Sequence, residues 1–240
     1  MARLLTALFA FLLCLVPAAS AQTFNAQEQA EIRAIVRDYL VRNPDVLREA
    51  LDELQARTEA ERWQAIRSDP RDFSIGPADA PIVIVEFFDY RCGYCHAALE
   101  WIVDISRTRR DVRIVLKELP ILSTQSMEAS RAALAAMPQG RYWAFHQALM
   151  AERGDLTTER IDALARRAGI DVTRMRRAMD SPDIIALLEQ NRTHALNIAE
   201  SPATPLFMIN GEIISGYNRQ LLDQRLREAT QAVRERRASR

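Results

Sequence analysis

The sequence predicts an α/β fold with a helical insertion, preceded by an N-terminal helical segment. Three observations support this fold class: a strand–helix–strand pattern over residues 82–116, a nearly continuous helical pattern over 123–200, and two short strands joined by a tight turn over 206–215. A strand–helix–strand unit implies parallel strands with a right-handed crossover. The insertion therefore separates a parallel pair of strands from a hairpin, and a last helix is predicted to follow over 219–236.

The first 21 residues have the layout of a secretory signal peptide. A basic Arg3 is followed by an apolar run and by the small residues at 19–21, after which we predict cleavage. The run is shorter than the ~20 residues that a membrane span needs, which argues against an anchor. Cys14 lies in this leader, so Cys92 and Cys95 are the cysteines that remain after cleavage.

Residues 22–67 form a charged segment without glycine that predicts two amphipathic helices. The helices meet at Asn43-Pro44, which has the pattern of an N-cap followed by proline at the first helical position. Two short helices cannot bury an apolar stripe by themselves. They must pack either against the rest of the chain or against copies of themselves.

The composition excludes several functional classes. The chain has 32 basic and 32 acidic residues, so no net field attracts it to nucleic acid or to an anionic membrane. Its seven glycines form neither a dinucleotide-binding nor a P-loop motif, and we expect no nucleotide cofactor.

Cys92 and Cys95 form a Cys-Gly-Tyr-Cys pair in a chain that is predicted to be exported. A disulfide across so short a loop gains little stability, so the pair is predicted to serve chemistry. It follows the strand at 82–88 and opens a helix, where free backbone N–H groups and the helix dipole stabilise a thiolate. We therefore predict Cys92 as the nucleophile and Cys95 as the resolving thiol.

A metal site is the competing interpretation of this pair. Zinc needs about four ligands, and the histidines available besides the pair are His96, His146 and His194. No zinc site is expected on this basis. A copper(I) site formed by Cys92, Cys95 and His96 remains an alternative.

Two charged residues near the pair are candidate catalytic groups. Glu86 interrupts a strand predicted to be buried on both faces, where a carboxyl group is costly unless it has a partner or a function. It could accept and return the proton of the resolving thiol. Lys117, the single lysine beside 31 arginines, ends the neighbouring strand and could pair with Glu86. A solvated charge at a strand end is the alternative for each residue.

Aromatic residues also surround the pair. Phe88, Tyr90 and Tyr94 form either an apolar platform for unfolded substrates or part of the core, and the sequence pattern leaves both interpretations open. Thr204-Pro205 precedes the hairpin, where a proline can simply mark the start of a strand.

Three segments in this order resemble the DsbA-like thioredoxin superfamily: Phe87–His96 around the dithiol, Val115–Pro120 at the second strand, and Thr204–Gly211 at the hairpin. The segment from Val36 onward is similar to the N-terminal domain of the ScsC (suppressor of copper sensitivity) branch, which makes some of those proteins trimeric. The resemblance implies an oligomerisation segment at 22–67 and a thioredoxin-like domain at 68–240 with a helical insertion at about 123–200.

The same resemblance implies a periplasmic thiol:disulfide oxidoreductase with Gly93, Tyr94, Thr204 and Pro205 at substrate-binding positions and with Pro205 cis. The implied substrates are unfolded or misoxidised exported proteins. The implied partner is a membrane thiol reductase of the DsbD or ScsB kind, or a DsbB-like oxidase. Because Gly93-Tyr94 replaces the Pro-His of the best-known oxidase, a strongly oxidising potential is not carried over. Oligomeric relatives tend to be isomerases, so the resemblance implies a disulfide isomerase or reductase that forms a homo-oligomer, most simply a trimer. A monomeric dithiol oxidase is the alternative.

Overall fold

The computed structural model describes residues 24–199 and 201–239, and the predicted signal peptide lies outside these ranges. The chain divides into two compact units, one ending at Ala56 and the other beginning at Arg57. The sequence placed the boundary between residues 67 and 68 instead. The division therefore falls within the second N-terminal helix rather than after it.

The first unit contains helix α1 (Ala26–Arg42) and the beginning of helix α2 (Pro44–Arg67). Asn25 begins α1 with a capping box, and Pro44 begins α2 as predicted. Asn43 differs from its predicted N-cap role, because its side-chain amide donates to the Tyr39 carbonyl (2.8 Å) and so caps the end of α1. Large apolar side chains are exposed along this unit: Ile32, Ile35, Val36, Tyr39, Val41, Val46, Leu47, Leu51 and Leu54.

The second unit is built on a mixed sheet. Its strands are β1 (Phe73–Ile75), β2 (Ile82–Phe88), β3 (Val112–Glu118), β4 (Leu206–Ile209) and β5 (Glu212–Ser215). In the described residues they pair in the order β1-β3-β2-β4-β5, with β2 and β3 parallel and the other pairs antiparallel. The predicted parallel pair and hairpin are thus confirmed. The sequence missed β1, because three residues are too few to show a strand pattern.

Helices cover both faces of this sheet. One helix crosses over from β2 to β3, the insertion between β3 and β4 contributes further helices, and a last helix follows β5. The predicted α/β fold with a helical insertion is confirmed. The bounds are Gly93–Thr108 for α3, Thr124–Ala136 for α4, Tyr142–Ala151 for α5, Thr158–Arg167 for α6, Val172–Ala178 for α7, Pro182–Ile198 for α8 and Arg219–Ala238 for α9.

Strand β2 is buried along its whole length, and its side chains alternate between two apolar clusters. Ile84 and Phe88 belong to the larger cluster, which contains α3 and much of the insertion. Val85 and Phe87 belong to the smaller cluster on the opposite face. The face that carries Ile84 and Phe88 is the dithiol face of the sheet, and the face that carries Val85 and Phe87 is the opposite face.

The end of α2 packs on the opposite face. Ile66 is fully buried there, Trp63 packs beside it, and Arg113 of β3 donates to the main-chain carbonyl of Arg67. These contacts explain why the second unit begins at Arg57 rather than after α2. Across the described residues, no helix combines the length and the apolar character needed to cross a membrane.

Candidate active site

Cys92 lies directly beyond the C-terminal end of β2. Its N–H donates to the carbonyl of Asp89 (3.0 Å), which closes the turn between the strand and α3. Cys92 is the N-cap of α3, and Cys95 lies one turn further along this helix. Cys92 is 6% exposed and Cys95 is 1% exposed, and both are free thiols. The less buried cysteine is therefore the one at the helix start.

The pKa of Cys92 is lowered from 9.0 to about 5. The largest cause is the hydrogen bond that the Cys95 thiol donates to the Cys92 thiolate. The Thr204 side chain and the backbone N–H groups of Cys95 and Tyr94 act in the same direction, and burial opposes them. At neutral pH the Cys92 sulfur is therefore a thiolate.

The pKa of Cys95 is shifted in the opposite direction. Burial raises it first, and the hydrogen bond to Cys92 and the charge of Glu86 raise it further. The pair therefore holds one negative charge, on Cys92, and one proton, on Cys95.

The loop before β4 faces the nucleophile. The Thr204-Pro205 peptide bond is cis, and the Cys92 thiol lies 3.1 Å from the carbonyl oxygen of Thr204. The buried Thr204 hydroxyl has no hydrogen-bond partner among the described residues. It contributes to the lowered pKa of Cys92 because it can donate to the thiolate.

The dipeptide between the cysteines is open to solvent. Tyr94 is 67% exposed, and a Cβ atom placed on Gly93 would meet nothing within 4 Å. Phe88 and Tyr90 are fully buried in the core. Of the three aromatic residues considered from the sequence, Tyr94 is therefore the one available to contact a substrate.

Glu86 points to the dithiol face, because it alternates with Val85 and Phe87 on β2. Its Oε1 is buried and has no hydrogen-bond partner among the residues that the structure describes. Burial raises the pKa of Glu86 to about 8, and the nearby Cys92 charge contributes in the same direction. An unpartnered carboxyl group coupled to both cysteines suits proton transfer better than a structural role.

The predicted pairing of Lys117 with Glu86 is wrong. In the parallel register Glu86 lies opposite Leu116, whereas Lys117 lies opposite Phe87, so the two side chains point to different faces of the sheet. Lys117 forms a fully buried ion pair with Asp72 and donates to Asn191 Oδ1 (3.1 Å). Lys117 therefore connects Asp72, just before β1, to Asn191 of α8 on the opposite face.

A copper site at the dithiol gains no support from the geometry. The Nε2 atom of His96 lies 2.6 Å from the main-chain carbonyl of Tyr90. Within residues 24–199 and 201–239, no three His, Cys, Asp or Glu side chains are grouped so as to hold a metal ion.

A second buried carboxyl group on the dithiol face was not predicted from the sequence. Glu118 ends β3 and accepts hydrogen bonds from the hydroxyls of Tyr90 (2.9 Å), Tyr142 (2.7 Å) and Ser130 (2.7 Å). Burial raises its pKa to about 8 despite these donors. The signal that singled out Glu86, an acid in an apolar strand, was also present at Glu118.

Comparisons with known proteins identify the family. The model described as thioredoxin matches residues 68–227. The chain belongs to the thioredoxin family. A second model, described as the copper resistance protein ScsC N-terminal domain, matches residues 28–61. Together with the similar structures, these matches place the chain in the ScsC branch of the DsbA-like proteins, as the resemblance implied.

Two solved structures illustrate the similarity. A thioredoxin-like oxidoreductase from Silicibacter pomeroyi DSS-3 is 32% identical, with a TM-score of 0.66 over 72% of this chain and 97% of that chain. A linker-deletion and point mutant of ScsC from Proteus mirabilis is 28% identical, with a TM-score of 0.66 over 89% of this chain and 100% of that chain.

The curated relatives are much longer proteins. The Na(+)/H(+) antiporter NhaA 1 from Salinispora arenicola is 30% identical over 168 residues, which are 68% of this chain and 26% of the antiporter. This chain therefore spans about a quarter of the length of the curated relatives it matches.

Replacing Lys117 tests whether it is structural. We expect Lys117→Met to lower the free energy of unfolding by about 3–5 kcal/mol in urea titrations, because Asp72 is left buried without its partner. The double variant Lys117→Met/Asp72→Leu should recover most of this loss, since apolar pairs often replace buried ion pairs without penalty. The pH midpoint for alkylation of Cys92 should not move in either variant. A shift of that midpoint would show that Lys117 acts on the dithiol.

Proposed function

We propose that this protein is an exported thiol:disulfide oxidoreductase that acts on protein disulfides, chiefly as an isomerase or reductase. The observation that carries the proposal is the state of the pair: Cys92 is a stabilised thiolate at a helix start, and Cys95 is a buried thiol beside it. A thiolate is the attacking species in disulfide exchange. Membership of the thioredoxin family supports the same chemistry.

The first step is attack by Cys92. Its thiolate forms a bond to one sulfur of a substrate disulfide, and the substrate S–S bond breaks. The other substrate sulfur leaves as a thiolate, so the product is a mixed disulfide between Cys92 and the substrate. Gly93 and Tyr94 lie on the exposed side of the pair, and Thr204 and Pro205 face the nucleophile, so these four residues are the proposed substrate-binding positions.

The mixed disulfide has two fates. A second thiol of the substrate can attack it, which rearranges the substrate disulfide and returns Cys92 as a thiolate. Alternatively Cys95 attacks the Cys92 sulfur, which releases a reduced substrate and leaves the Cys92–Cys95 disulfide. The second route requires Cys95 to lose its proton.

Glu86 is the proposed acceptor of that proton. The charge on Cys92 helps to keep the pKa of Glu86 at about 8. Formation of the mixed disulfide removes this charge, so the pKa of Glu86 falls. A larger fraction of Glu86 is therefore deprotonated, and able to accept a proton, at the stage when Cys95 must lose its proton.

Glu86→Gln should slow the resolution step and leave the attack step nearly unchanged. The amide cannot take the Cys95 proton, so we expect the mixed disulfide with a model substrate to persist at least about tenfold longer. Acid quenching followed by non-reducing gel electrophoresis measures this lifetime. Glu100→Gln, an exposed substitution on α3, is the control. Equal lifetimes in the wild-type and Glu86→Gln proteins would remove Glu86 from the mechanism.

The N-terminal segment supports the isomerase assignment. Residues 28–61 match the ScsC N-terminal domain, and the helices of the first unit expose a row of apolar side chains. We propose that this segment joins copies of the chain into a homo-oligomer, most simply a trimer, which holds several dithiols close to one substrate. A monomeric DsbA-type oxidase is the alternative, because a low pKa of Cys92 stabilises the reduced form and suits an oxidant as well.

The setting proposed for this activity is the periplasm. Residues 1–21 are proposed as the cleaved signal peptide, with unfolded or misoxidised exported proteins as substrates. An isomerase needs a reduced dithiol, so the proposed partner is a membrane thiol reductase of the DsbD or ScsB kind. An oxidase would instead need a DsbB-like partner.

Reactivation of scrambled ribonuclease tests the proposed function. The purified wild-type protein should restore ribonuclease activity, and Cys92→Ser should abolish this because no mixed disulfide can form. Cys95→Ser should keep part of the isomerase activity but lose dithiol oxidation, since the first cysteine alone can rearrange a substrate. The proposal is lost if the wild-type protein restores nothing and Cys92→Ser alters no thiol-exchange rate.

A deletion separates the isomerase from the oxidase assignment. Removing residues 22–56 from the mature protein should give a redox-active monomer in light scattering, with a lower ratio of isomerase to oxidase activity. Removing residues 22–67 is the matched comparison. It also takes away Trp63 and Ile66, which pack on the opposite face, and should reduce stability. If the 22–56 deletion remains oligomeric, the segment is not the oligomerisation element.

A further inference from the structure

The residue three positions before the nucleophile is bonded to the helical insertion. The carboxylate of Asp89 is buried and accepts hydrogen bonds from the hydroxyl of Ser126 on α4 (2.7 Å) and from the N–H groups of Ile121 (2.9 Å) and Leu122 (3.0 Å). Asp89 also accepts the Cys92 N–H through its own carbonyl (3.0 Å). One residue thus joins the insertion to the nucleophile.

The next residue, Tyr90, is fixed at both ends. Its hydroxyl donates to Glu118 (2.9 Å) and lies 3.2 Å from Nδ1 of His146 on α5. Its carbonyl oxygen lies 2.6 Å from Nε2 of His96 on α3. The ring is fully buried and packs edge-on against Phe88.

Arg91 makes the third connection, at the surface. Its guanidinium donates to the carbonyl of Gly154 (2.6 Å) and to the carboxylate of Asp155 (3.2 Å), both in the loop between α5 and α6. Three consecutive residues before Cys92 therefore contact three different parts of the insertion.

We propose that the helical insertion positions the nucleophile Cys92 through these three residues, with Tyr90 as the buried positioning residue and Asp89 as the second. This inference rests on the proposed role of Cys92, and it assigns to the insertion a part in setting the reactivity of that thiolate. The insertion is then a component of the redox site rather than a cover for the sheet.

The physical reason is that hydrogen bonds depend on direction as well as distance. The Cys92 thiolate is stabilised chiefly by hydrogen-bond donors, and such bonds weaken steeply when the donor and acceptor lose alignment. A loop that is free to move would average these contacts away. Two titratable groups lie beside Tyr90. His146 is uncharged, because burial lowers its pKa to about 3, and Glu118 is held in place by hydrogen bonds from three hydroxyls.

Two tyrosines that bind the same oxygen provide a matched test. Tyr90→Phe and Tyr142→Phe each remove one hydroxyl from Glu118 Oε1 and keep a buried ring, but Tyr90 alone belongs to the loop before Cys92. The readout is the pH profile of Cys92 alkylation by iodoacetamide, with the modified residue identified by mass spectrometry. We expect the midpoint to rise by about half a pH unit or more in Tyr90→Phe and to stay at the wild-type value in Tyr142→Phe.

Two serines on α4 provide an independent pair. Ser126 and Ser130 are both fully buried, and each donates to a buried acid at 2.7 Å, Asp89 and Glu118 respectively. Ser126→Ala should raise the Cys92 midpoint, and Ser130→Ala should leave it unchanged. Urea unfolding of all four variants checks that members of a pair lose comparable stability.

The proposal is overturned if the controls Tyr142→Phe and Ser130→Ala move the alkylation midpoint as far as Tyr90→Phe and Ser126→Ala do. It is also overturned if neither Tyr90→Phe nor Ser126→Ala moves that midpoint. These readouts use a small alkylating reagent and no protein substrate. They therefore remain decisive even if the protein fails to reactivate scrambled ribonuclease, and the two failures can be told apart.

Discussion

The negative charge on Cys92 is stabilised mainly by hydrogen bonds rather than by a cation, and the site depends on this constraint. The donors are the Cys95 thiol, the Thr204 side chain and the first N–H groups of α3. Such donors act over short distances and narrow angles. Helix α3 and the loop at residues 204–205 must therefore be held in fixed positions relative to each other. The fully buried β2 connects them, because it leads into α3 and pairs with β4, which follows that loop.

The group proposed for proton transfer and the ion pair that stabilises the fold lie on different faces of the sheet. On the dithiol face, Oε1 of Glu86 has no hydrogen-bond partner among the described residues and Glu86 is coupled to Cys92, whereas Glu118 accepts hydrogen bonds from three hydroxyls. The opposite face carries the buried pair of Lys117 and Asp72, which ties the segment before β1 to the sheet. Lys117 and Asp72 neutralise one another and lie on the other face of the sheet from Glu86, so the pair and the proposed catalytic carboxyl group can have independent roles.

The family resemblance was visible in three short segments, but several contacts within the site were not. The strand–helix–strand unit, the hairpin and the break at Pro44 follow from local patterns and appear as predicted. The predicted pairing of Glu86 with Lys117 was wrong, because a shift of one residue in a strand changes the face to which a side chain points. The hydrogen bonds that hold Glu118 could not be predicted, because its donors Tyr90, Ser130 and Tyr142 come from three segments that are distant in sequence.

The sequence by itself determined the fold class, the dithiol and its place at a helix start, because these depend on residue periodicity and on spacing over a few positions. Only the tertiary structure decided which buried acid faces the thiols and which is bonded by hydroxyls. It also showed that the end of α2 belongs with the sheet and that the residues before Cys92 contact the insertion. Burial, strand register and hydrogen-bond direction arise from contacts between distant segments, and no local pattern encodes them.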